Sequence, residues 1–485
     1  MKGIPHEVVA GDPNTEIRQL TADSREVSDG VLFVAMRGTI TDGHDYIAQS
    51  IEKGASAILC EEVPEDRVDG VTYLRVEHTD MVIGEVAANF YDHPSEKLRL
   101  VGVTGTNGKT TIATLLHNLF ISLGHKSGLI STVCVVIDKE KIPSKLTTPD
   151  ALTLQRYLWE MVNAGCEYAF MEVSSHAVHQ YRIRGARFVG GIFTNLTRDH
   201  LDYHGTFLNY LHAKQGFFDS LSKEAFALTN IDETNGMVMV QNTRADVHTY
   251  GLKRDADFKG KILEQHLDGT DMLFNGCEVT TRLVGRFNAY NMLAIFGAAV
   301  LLGQPKEEVL RVLSSLTPVD GRFQTVTSSK GYVAVIDYAH TPDALENVLG
   351  TITELQKNHG GRIISVVGAG GNRDSGKRPI MAAVAAKLSD ITILTSDNPR
   401  REDPEKIIED MAAGLDTEMM RRTLKITSRR DAIRTACTMA MASDVVLIAG
   451  KGHENYQEVN GIRHHFSDLE EVEKIIEEEK GGGAK

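Results

Sequence analysis

A chain of 485 residues, 42% hydrophobic and 24% charged, is too long for one ordinary core and is expected to divide into domains, of which the pattern below counts three. A formal net charge of −14 argues against a general nucleic-acid binder, which gathers positive charge to meet the phosphate backbone. No apolar run approaches the roughly 20 residues that span a bilayer, so no membrane insertion is expected.

The N-terminal MKGIPHEVVAGDPNTEI carries no apolar stretch leading to a small-residue cleavage site, and the chain is expected to stay in the cytoplasm. Its 5 cysteines are scattered without CxxC spacing, which suits reduced thiols better than disulfides or a zinc scaffold. Short apolar runs such as VLFVAM and ASAILC alternate with turn residues as far as the polar YDHPSEK, so residues 1–97 are read as a small α/β domain. LRLVGV then reads as a buried strand, TGTNGKTT as a loop, and IATLLHNLFISLG as a helix stopping at a glycine. Further buried strands are expected at EYAFMEV, FVGGIF and AFALTN, spaced widely enough for helices between them. Residues 98–323 therefore read as a doubly wound, mostly parallel sheet. The pattern restarts with YVAVIDYAH, RIISVVG, ITILTS and VVLIAG, each ending in a polar or glycine-rich loop where open α/β sheets hold ligands. Residues 324–485 read as a Rossmann-like third domain.

Gly105, Thr106, Asn107, Gly108, Lys109, Thr110 and Thr111 lie between the first of these central strands and its helix. In such a loop, backbone N–H groups and the helix N-terminus cradle phosphate oxygens, Lys109 reaches the terminal phosphates, and the Thr110 hydroxyl ligates Mg²⁺. The loop departs from GxxxxGK[ST] because Val103 holds the first glycine place, and a plain glycine-rich turn is the competing reading. MEVSSHA puts Glu172 at a strand end, and TNLTRDHLDYHG puts Asp199, His200, Asp202 and His204 just beyond another. Carboxylate and imidazole so placed can complete a magnesium site beside the phosphates. Helix caps and core histidines are the plainer alternative, and His176, His179, His200 and His204 also suit a zinc or two-metal hydrolase. Lys214 is more pointed, because in FLNYLHAKQGFFDSL it shares an apolar helical stripe with Phe207, Leu211, Phe218 and Leu221. Burial lowers an amine's pKa and leaves a neutral, reactive group; a lysine that snorkels to solvent is the other reading.

In this setting TGTNGKTT resembles the phosphate loop of the Mur ligase and folylpolyglutamate synthetase families. These are ATP-dependent amide ligases that activate a carboxylate as an acyl phosphate for attack by an amine. The resemblance to the Mur ligases runs from Asp23 to Glu454, with motifs in order in all three domains. It implies that Glu172 and His200 join Thr110 as Mg²⁺ ligands, and that CO₂ carbamylates Lys214, turning a cation into an anionic ligand near the metal. Lys109, His200 and Lys214 are then the catalytic candidates. Asn291 of GRFNAYN, Arg322 of GRF and Asp337 of DYAHTPD resemble ATP contacts, with Arg322 near phosphate and Asp337 near ribose.

The opening DSREV and GVLFVAMRGTITDGHDYI resemble the first domain of those Mur ligases that add the third residue of the cell-wall peptide, where it holds the uridine nucleotide. Ser24 matches a substrate-binding serine there. Thr147 and Thr148 of LTTPD, with Ser174, Gln180 and Arg182 of SSHAVHQYR, match positions that hold the muramoyl-peptide. GGNRDSGKRP, DNPR and AGKGHE resemble the amino-acid pocket, and DNPR, formed by Asp397, Asn398, Pro399 and Arg400, is the form associated with meso-diaminopimelate. The chemistry agrees: this amino acid carries a distal carboxylate that an arginine fork grips through charge-assisted hydrogen bonds, and Arg400 and Arg373 are the candidates. Gly450 and Glu454 match contacts to the incoming amino acid, with Glu454 facing its distal ammonium. The implied activity is ATP- and Mg²⁺-dependent addition of meso-diaminopimelate to UDP-MurNAc-L-Ala-D-Glu by a monomer. L-lysine as the amine, a folylpolyglutamate synthetase-like ligase, a metal-dependent hydrolase and an idle nucleotide binder are the alternatives.

Overall fold

The computed structural model describes residues 1–38, 41–144, 146–266 and 268–482. Thr39 and Ile40 of the GVLFVAMRGTITDGHDYI segment lie outside the described residues. Three main sheets organise three α/β domains. In each domain, alternate residues of one strand fall into separate apolar clusters. Val31 and Phe33 part from Leu32 and Val34, Val101 and Val103 from Leu100, and Val335 from Ala334. Since successive side chains of a strand point to opposite faces, each sheet is covered on both sides.

The first sheet has 5 strands in the order Glu7–Ala10, Thr72–Arg75, Ala55–Cys60, Val31–Val34 and Gln19–Thr21, antiparallel only at the Glu7–Ala10 edge. The central sheet has a parallel core running Asp246–Gly251, Phe226–Asn230, Gly190–Phe193, Arg99–Thr104, Tyr168–Glu172 and Ser127–Ile130. Phe258–His266 continues the parallel run beyond Asp246–Gly251, and antiparallel strands then extend both edges to 11 strands in all, Gly269–Phe274 and Cys277–Thr281 on that side and Cys134–Ile137 and Glu140–Pro143 on the other. The sheet is therefore more mixed than the apolar runs suggest. The third sheet orders Gln324–Thr327, Val333–Asp337, Val445–Ala449, Ile363–Ala369, Ile391–Ser396 and Thr423–Lys425, antiparallel only at its first strand.

Parallel pairing places the chemistry. Glu172 pairs in register with Val103, and Phe193 with Thr104, so the loops after three adjacent strands open at one end of the sheet. Helix Phe207–Asp219 lies close against that sheet because Gly102 and Gly191 have no side chains. A Cβ at Gly102 would sit 2.5 Å from Phe217 Cζ, and one at Gly191 2.9 Å from Phe217 Cε1. The apolar stripe drawn for this helix needs correction at both ends: Phe207 is 39% exposed, in the first turn after the Thr206 cap, and Leu221 lies beyond the last helical residue.

The first domain docks on the second by backbone contact. A Cβ at Gly84, in helix Thr79–Phe90, would meet the Arg184 carbonyl oxygen at 2.0 Å. One at Gly185, where φ is +80°, would meet the Gly84 carbonyl oxygen at 2.3 Å. An ion pair between Arg184 and Glu85 at 3.1 Å borders the contact. Among the described residues no helix is long and apolar enough to cross a membrane.

Candidate active site

Strand Arg99–Thr104 runs into the glycine-rich loop, and helix Lys109–Ser122 leaves it. The turn needs Gly108, which sits at φ +88° and where a Cβ would lie 2.6 Å from Asn291 Oδ1. Asn195 accepts from the Asn107 N–H at 2.9 Å and donates to its carbonyl at 3.2 Å, so the strand-end loop beyond Phe193 braces the glycine-rich loop. Lys109 Nζ donates to the Gly105 and Thr106 carbonyls, both at 2.9 Å, and so curls over its own loop.

Glu172 is completely buried at its strand end. Its Oε1 accepts from Thr110 Oγ1 at 2.9 Å and from the Thr132 N–H at 2.7 Å, while Oε2 is buried with no partner. A buried carboxylate oxygen without a donor is costly unless a cation or donor fills the gap. His200 adopts a left-handed conformation at φ 54°, with Nε2 3.3 Å from Asp199 Oδ2. Burial pushes its imidazole down to about 3, which outweighs the Asp199 charge and keeps it neutral. Lys214 is 1% exposed and donates from Nζ to the Gly105 carbonyl at 2.9 Å. Burial first and the neighbouring Lys109 second hold the Lys214 amine well below the usual lysine range, against the pull of Asp199.

These groups share one cavity of about 450 Å³. Thr106 to Thr111, Thr147, Glu172, Ser174, His200, Lys214, Asn291, Arg322 and Asp337 all line it. Arg322 brings the third domain's entry segment to the loop: its Nη2 donates to Thr110 Oγ1 at 3.0 Å, and its guanidinium lies 4.4 Å from the Tyr338 ring centre. Asp337 is held by its own backbone, with Oδ2 accepting from the Phe323 N–H at 2.7 Å and Oδ1 from the Ala339 N–H at 2.8 Å, and burial raises its pKa. Sequence reasoning passed over Asp343 although it lies within DYAHTPD. Its Oδ2 accepts from Asn107 Nδ2 at 2.8 Å and Thr197 Oγ1 at 3.3 Å, fastening the third domain to the phosphate loop.

The remaining candidates lie around this cavity. Thr147 Oγ1 accepts from Thr132 at 3.1 Å. Thr148 is buried, donating to the Glu172 carbonyl at 2.7 Å and accepting from the Ser174 N–H at 3.1 Å. Ser174 caps the helix Ser175–His179 through the Ala177 N–H. Arg182 donates to the Thr148 carbonyl at 3.0 Å and from Nε to Gln180 Oε1 at 3.0 Å. Ser24 stands apart in the first domain, half-buried, with its carbonyl accepting from Lys53 at 2.7 Å. The four histidines of the hydrolase reading are neighbours, but His204 bonds Ser175 Oγ at 3.0 Å and His179 bonds the Tyr203 hydroxyl at 3.0 Å. Among the described residues, triads with metal-ligand spacing occur at Glu61, His78 and Asp80 and at Glu264, His266 and Asp271, not at these histidines.

In the third domain, the loops after strands Ile363–Ala369, Ile391–Ser396 and Val445–Ala449 form a second constellation. Arg400 and Arg373 flank Gly370, whose Cβ would lie 3.0 Å from Arg400 Nη1 and 3.9 Å from Arg373 Cγ. Arg400 Nη1 donates to the Gly371 carbonyl at 2.7 Å, and Arg373 is exposed. Pro399 presses its carbonyl to within 2.0 Å of where a Gly371 Cβ would stand, so this approach requires glycine. Asn398 Nδ2 donates to Glu454 Oε2 at 2.8 Å, and a Cβ at Gly450 would crowd Asp397 Oδ2 at 2.7 Å. Burial and the Asp397 charge raise the Glu454 carboxyl. Burial also works to raise Asp397, but Lys451 and Arg429 win and hold it below its usual range.

Three family models match in succession, the Mur ligase family catalytic domain at residues 16–91, the Mur ligase middle domain at 103–299, and the Mur ligase glutamate ligase domain at 321–452. Curated relatives called UDP-N-acetylmuramoyl-L-alanyl-D-glutamate--2,6-diaminopimelate ligase are 58% identical in Phocaeicola vulgatus, covering 99% of both chains, and 57% identical in Bacteroides thetaiotaomicron, covering 98% of both. A solved structure of a ligase of that name superposes with a TM-score of 0.70 at 34% identity, over 98% of this chain and 97% of the other. With likeness of this degree from end to end, and a phosphate loop facing a buried lysine at the centre, the chain belongs to the Mur ligase family.

Proposed function

We propose that the chain, an ATP-dependent amide ligase by its family, joins meso-diaminopimelate to the glutamate carboxylate of UDP-MurNAc-L-Ala-D-Glu, giving the UDP-MurNAc-tripeptide, ADP and phosphate. The observation that carries the choice of amine is the third-domain constellation, where Arg400 and Arg373 flank Gly370 and Glu454 lies within a neighbouring loop. A distal carboxylate and a distal ammonium are the two groups such a pocket satisfies together, and an amine lacking the carboxylate leaves the arginine fork unpaired.

The γ-phosphoryl group passes to the glutamate carboxylate. The amine then attacks the acyl carbon of the mixed anhydride, loses a proton and expels phosphate. Lys109 and the loop N–H groups hold the phosphates, with Arg322 reaching the same hydroxyl, Thr110 Oγ1, that bonds Glu172. The unpartnered Glu172 Oε2 fits a cation, so Thr110, Glu172 and His200 are the residues that would hold Mg²⁺, which supplies positive charge against the phosphates when bound. The Lys214 amine, whose ammonium form burial disfavours, adds to CO₂ with release of one proton, and the resulting carbamate would bring an anionic group to the same cavity. Asn291 and Asp337 are assigned to the nucleotide. Ser24, Thr147, Thr148, Ser174, Gln180 and Arg182 are assigned to the UDP-muramoyl-peptide, and Asp397 to Arg400 with Arg373, Gly450 and Glu454 to the amino acid. We set the domain limits at 1–97, 98–323 and 324–485, and the enzyme is proposed to act in the cytoplasm as a monomer.

Incubation with ATP, Mg²⁺, UDP-MurNAc-L-Ala-D-Glu and meso-diaminopimelate, read by mass spectrometry, is expected to yield the tripeptide nucleotide. ADP formation without that product would overturn the proposal.

A further inference from the structure

Lys451 lies between Gly450 and Glu454, and its side chain is completely buried. An ammonium has three donors, and three oxygens surround this one: Glu454 Oε2 at 3.1 Å, Asn398 Oδ1 at 3.2 Å and Asp397 Oδ1 at 3.5 Å. Lys451 thus spends two donors on Glu454 and Asn398 and pairs in charge with Asp397. What it does is join two loops, because Asp397 and Asn398 follow strand Ile391–Ser396 while Glu454 follows strand Val445–Ala449. Asn398 Nδ2 donates to the same Glu454 oxygen, Oε2, at 2.8 Å. Both internal donors therefore use one oxygen of Glu454, and its side chain keeps 18% exposure.

We propose that Lys451 is the positioning residue of the amino-acid pocket: it locks Glu454 through Oε2 and keeps Oε1 free for the distal ammonium of the incoming amino acid. This rests on the diaminopimelate reading above. If Lys451 acts on the distal ammonium through Glu454, its removal weakens that contact only while Glu454 is a carboxylate. Without the buried ammonium, Glu454 keeps only the Asn398 donor on Oε2, and its repulsion by Asp397 is no longer screened by Lys451.

The test is a double-mutant cycle on the full-length enzyme with Lys451→Met, Glu454→Gln and the double variant, reading KM for meso-diaminopimelate beside KM for ATP. Lys451→Met is expected to raise the diaminopimelate KM at least tenfold and to change the ATP KM less than twofold. In the Glu454→Gln background the same substitution is expected to add less than twofold. An unchanged diaminopimelate KM in Lys451→Met, or effects that multiply in the double variant, would overturn the proposal. If Lys451→Met alone does not fold, comparing the charge-balanced double variant with Glu454→Gln still decides between the two outcomes. Wild-type turnover is read first: its absence with diaminopimelate overturns the reading of the pocket and this proposal with it, whereas wild-type turnover with multiplying effects overturns the Lys451 role alone.

Discussion

Lys109 and Lys214 place their amines on one oxygen, the carbonyl of Gly105, each at 2.9 Å. Two ammonium groups on a single buried acceptor repel each other, and burial disfavours the charged form of both, more strongly for Lys214. Disfavouring the ammonium favours the neutral amine, which is the form that adds to CO₂. Lys214→Ala should lower turnover by about a hundredfold or more, the scale on which loss of one group organising transition-state charge is felt. Short carboxylates such as formate or acetate should restore part of it by occupying the vacated place. Full activity in the variant without any added carboxylate would refute the carbamate assignment.

Gly84 and Gly185 set how the first domain meets the second, and the reading of the substrate site spans both domains. Gly84→Val drives a side chain into the Arg184 carbonyl, a backbone atom that cannot step aside. Overpacking of this kind costs about 1–3 kcal/mol, here directed at the domain contact. KM for the UDP-muramoyl-dipeptide should rise several-fold while KM for ATP stays near wild type. Equal changes in both constants would show that the contact does not align the first domain.

His117, in helix Lys109–Ser122, is buried against strand Ser127–Ile130, and burial pushes its imidazole from the ordinary 6.5 down to about 4. The folded state resists protonation, so the unfolded chain binds the extra proton between those values. The contribution to stability is intact above pH 6.5 and is lost as pH falls toward 4, amounting to about 2 kcal/mol by pH 5. His204 and His340 are driven down in the same direction, chiefly by burial. Urea midpoints should drop between pH 7 and pH 5, and His117→Gln should show a shallower drop. Identical slopes in the two proteins would exclude His117 as a source.

Much of this architecture was legible because the parallel strands are covered on both faces and read as unbroken apolar runs, as in LRLVGV and VVLIAG. The edge strands were not, since Cys134–Ile137 and Glu140–Pro143 are short, and the latter is largely exposed. One signal was present and unread: Asn275 and Gly276, both at positive φ, form the hairpin turn between Gly269–Phe274 and Cys277–Thr281. Lys214 betrayed its burial by sharing a helical face with Leu211 and Phe218. Lys451 had no such periodicity, because it lies in a loop and is enclosed only when two strand ends meet. Asp343 and Asn195 likewise acquire partners only across elements distant in the chain, Asp343 meeting Asn107 from another domain.

Arg400 holds a left-handed backbone at φ 53° and aims Nη1 toward Gly370 and Gly371. Loss of one fork of a charge-assisted pair costs about 2 kcal/mol, roughly thirtyfold. Arg400→Ala should raise KM for meso-diaminopimelate by that order, and Arg400→Lys should not rescue it, because a point charge cannot reproduce the planar fork. Rescue by lysine would reduce the role of Arg400 to net charge.

The account turns on which amine is used. Phosphate release by the wild-type enzyme with ATP, Mg²⁺ and UDP-MurNAc-L-Ala-D-Glu, measured side by side with meso-diaminopimelate and with L-lysine, tests it directly. Release that depends on meso-diaminopimelate and stays at background with L-lysine is the predicted result; release with L-lysine at a comparable rate would contradict it.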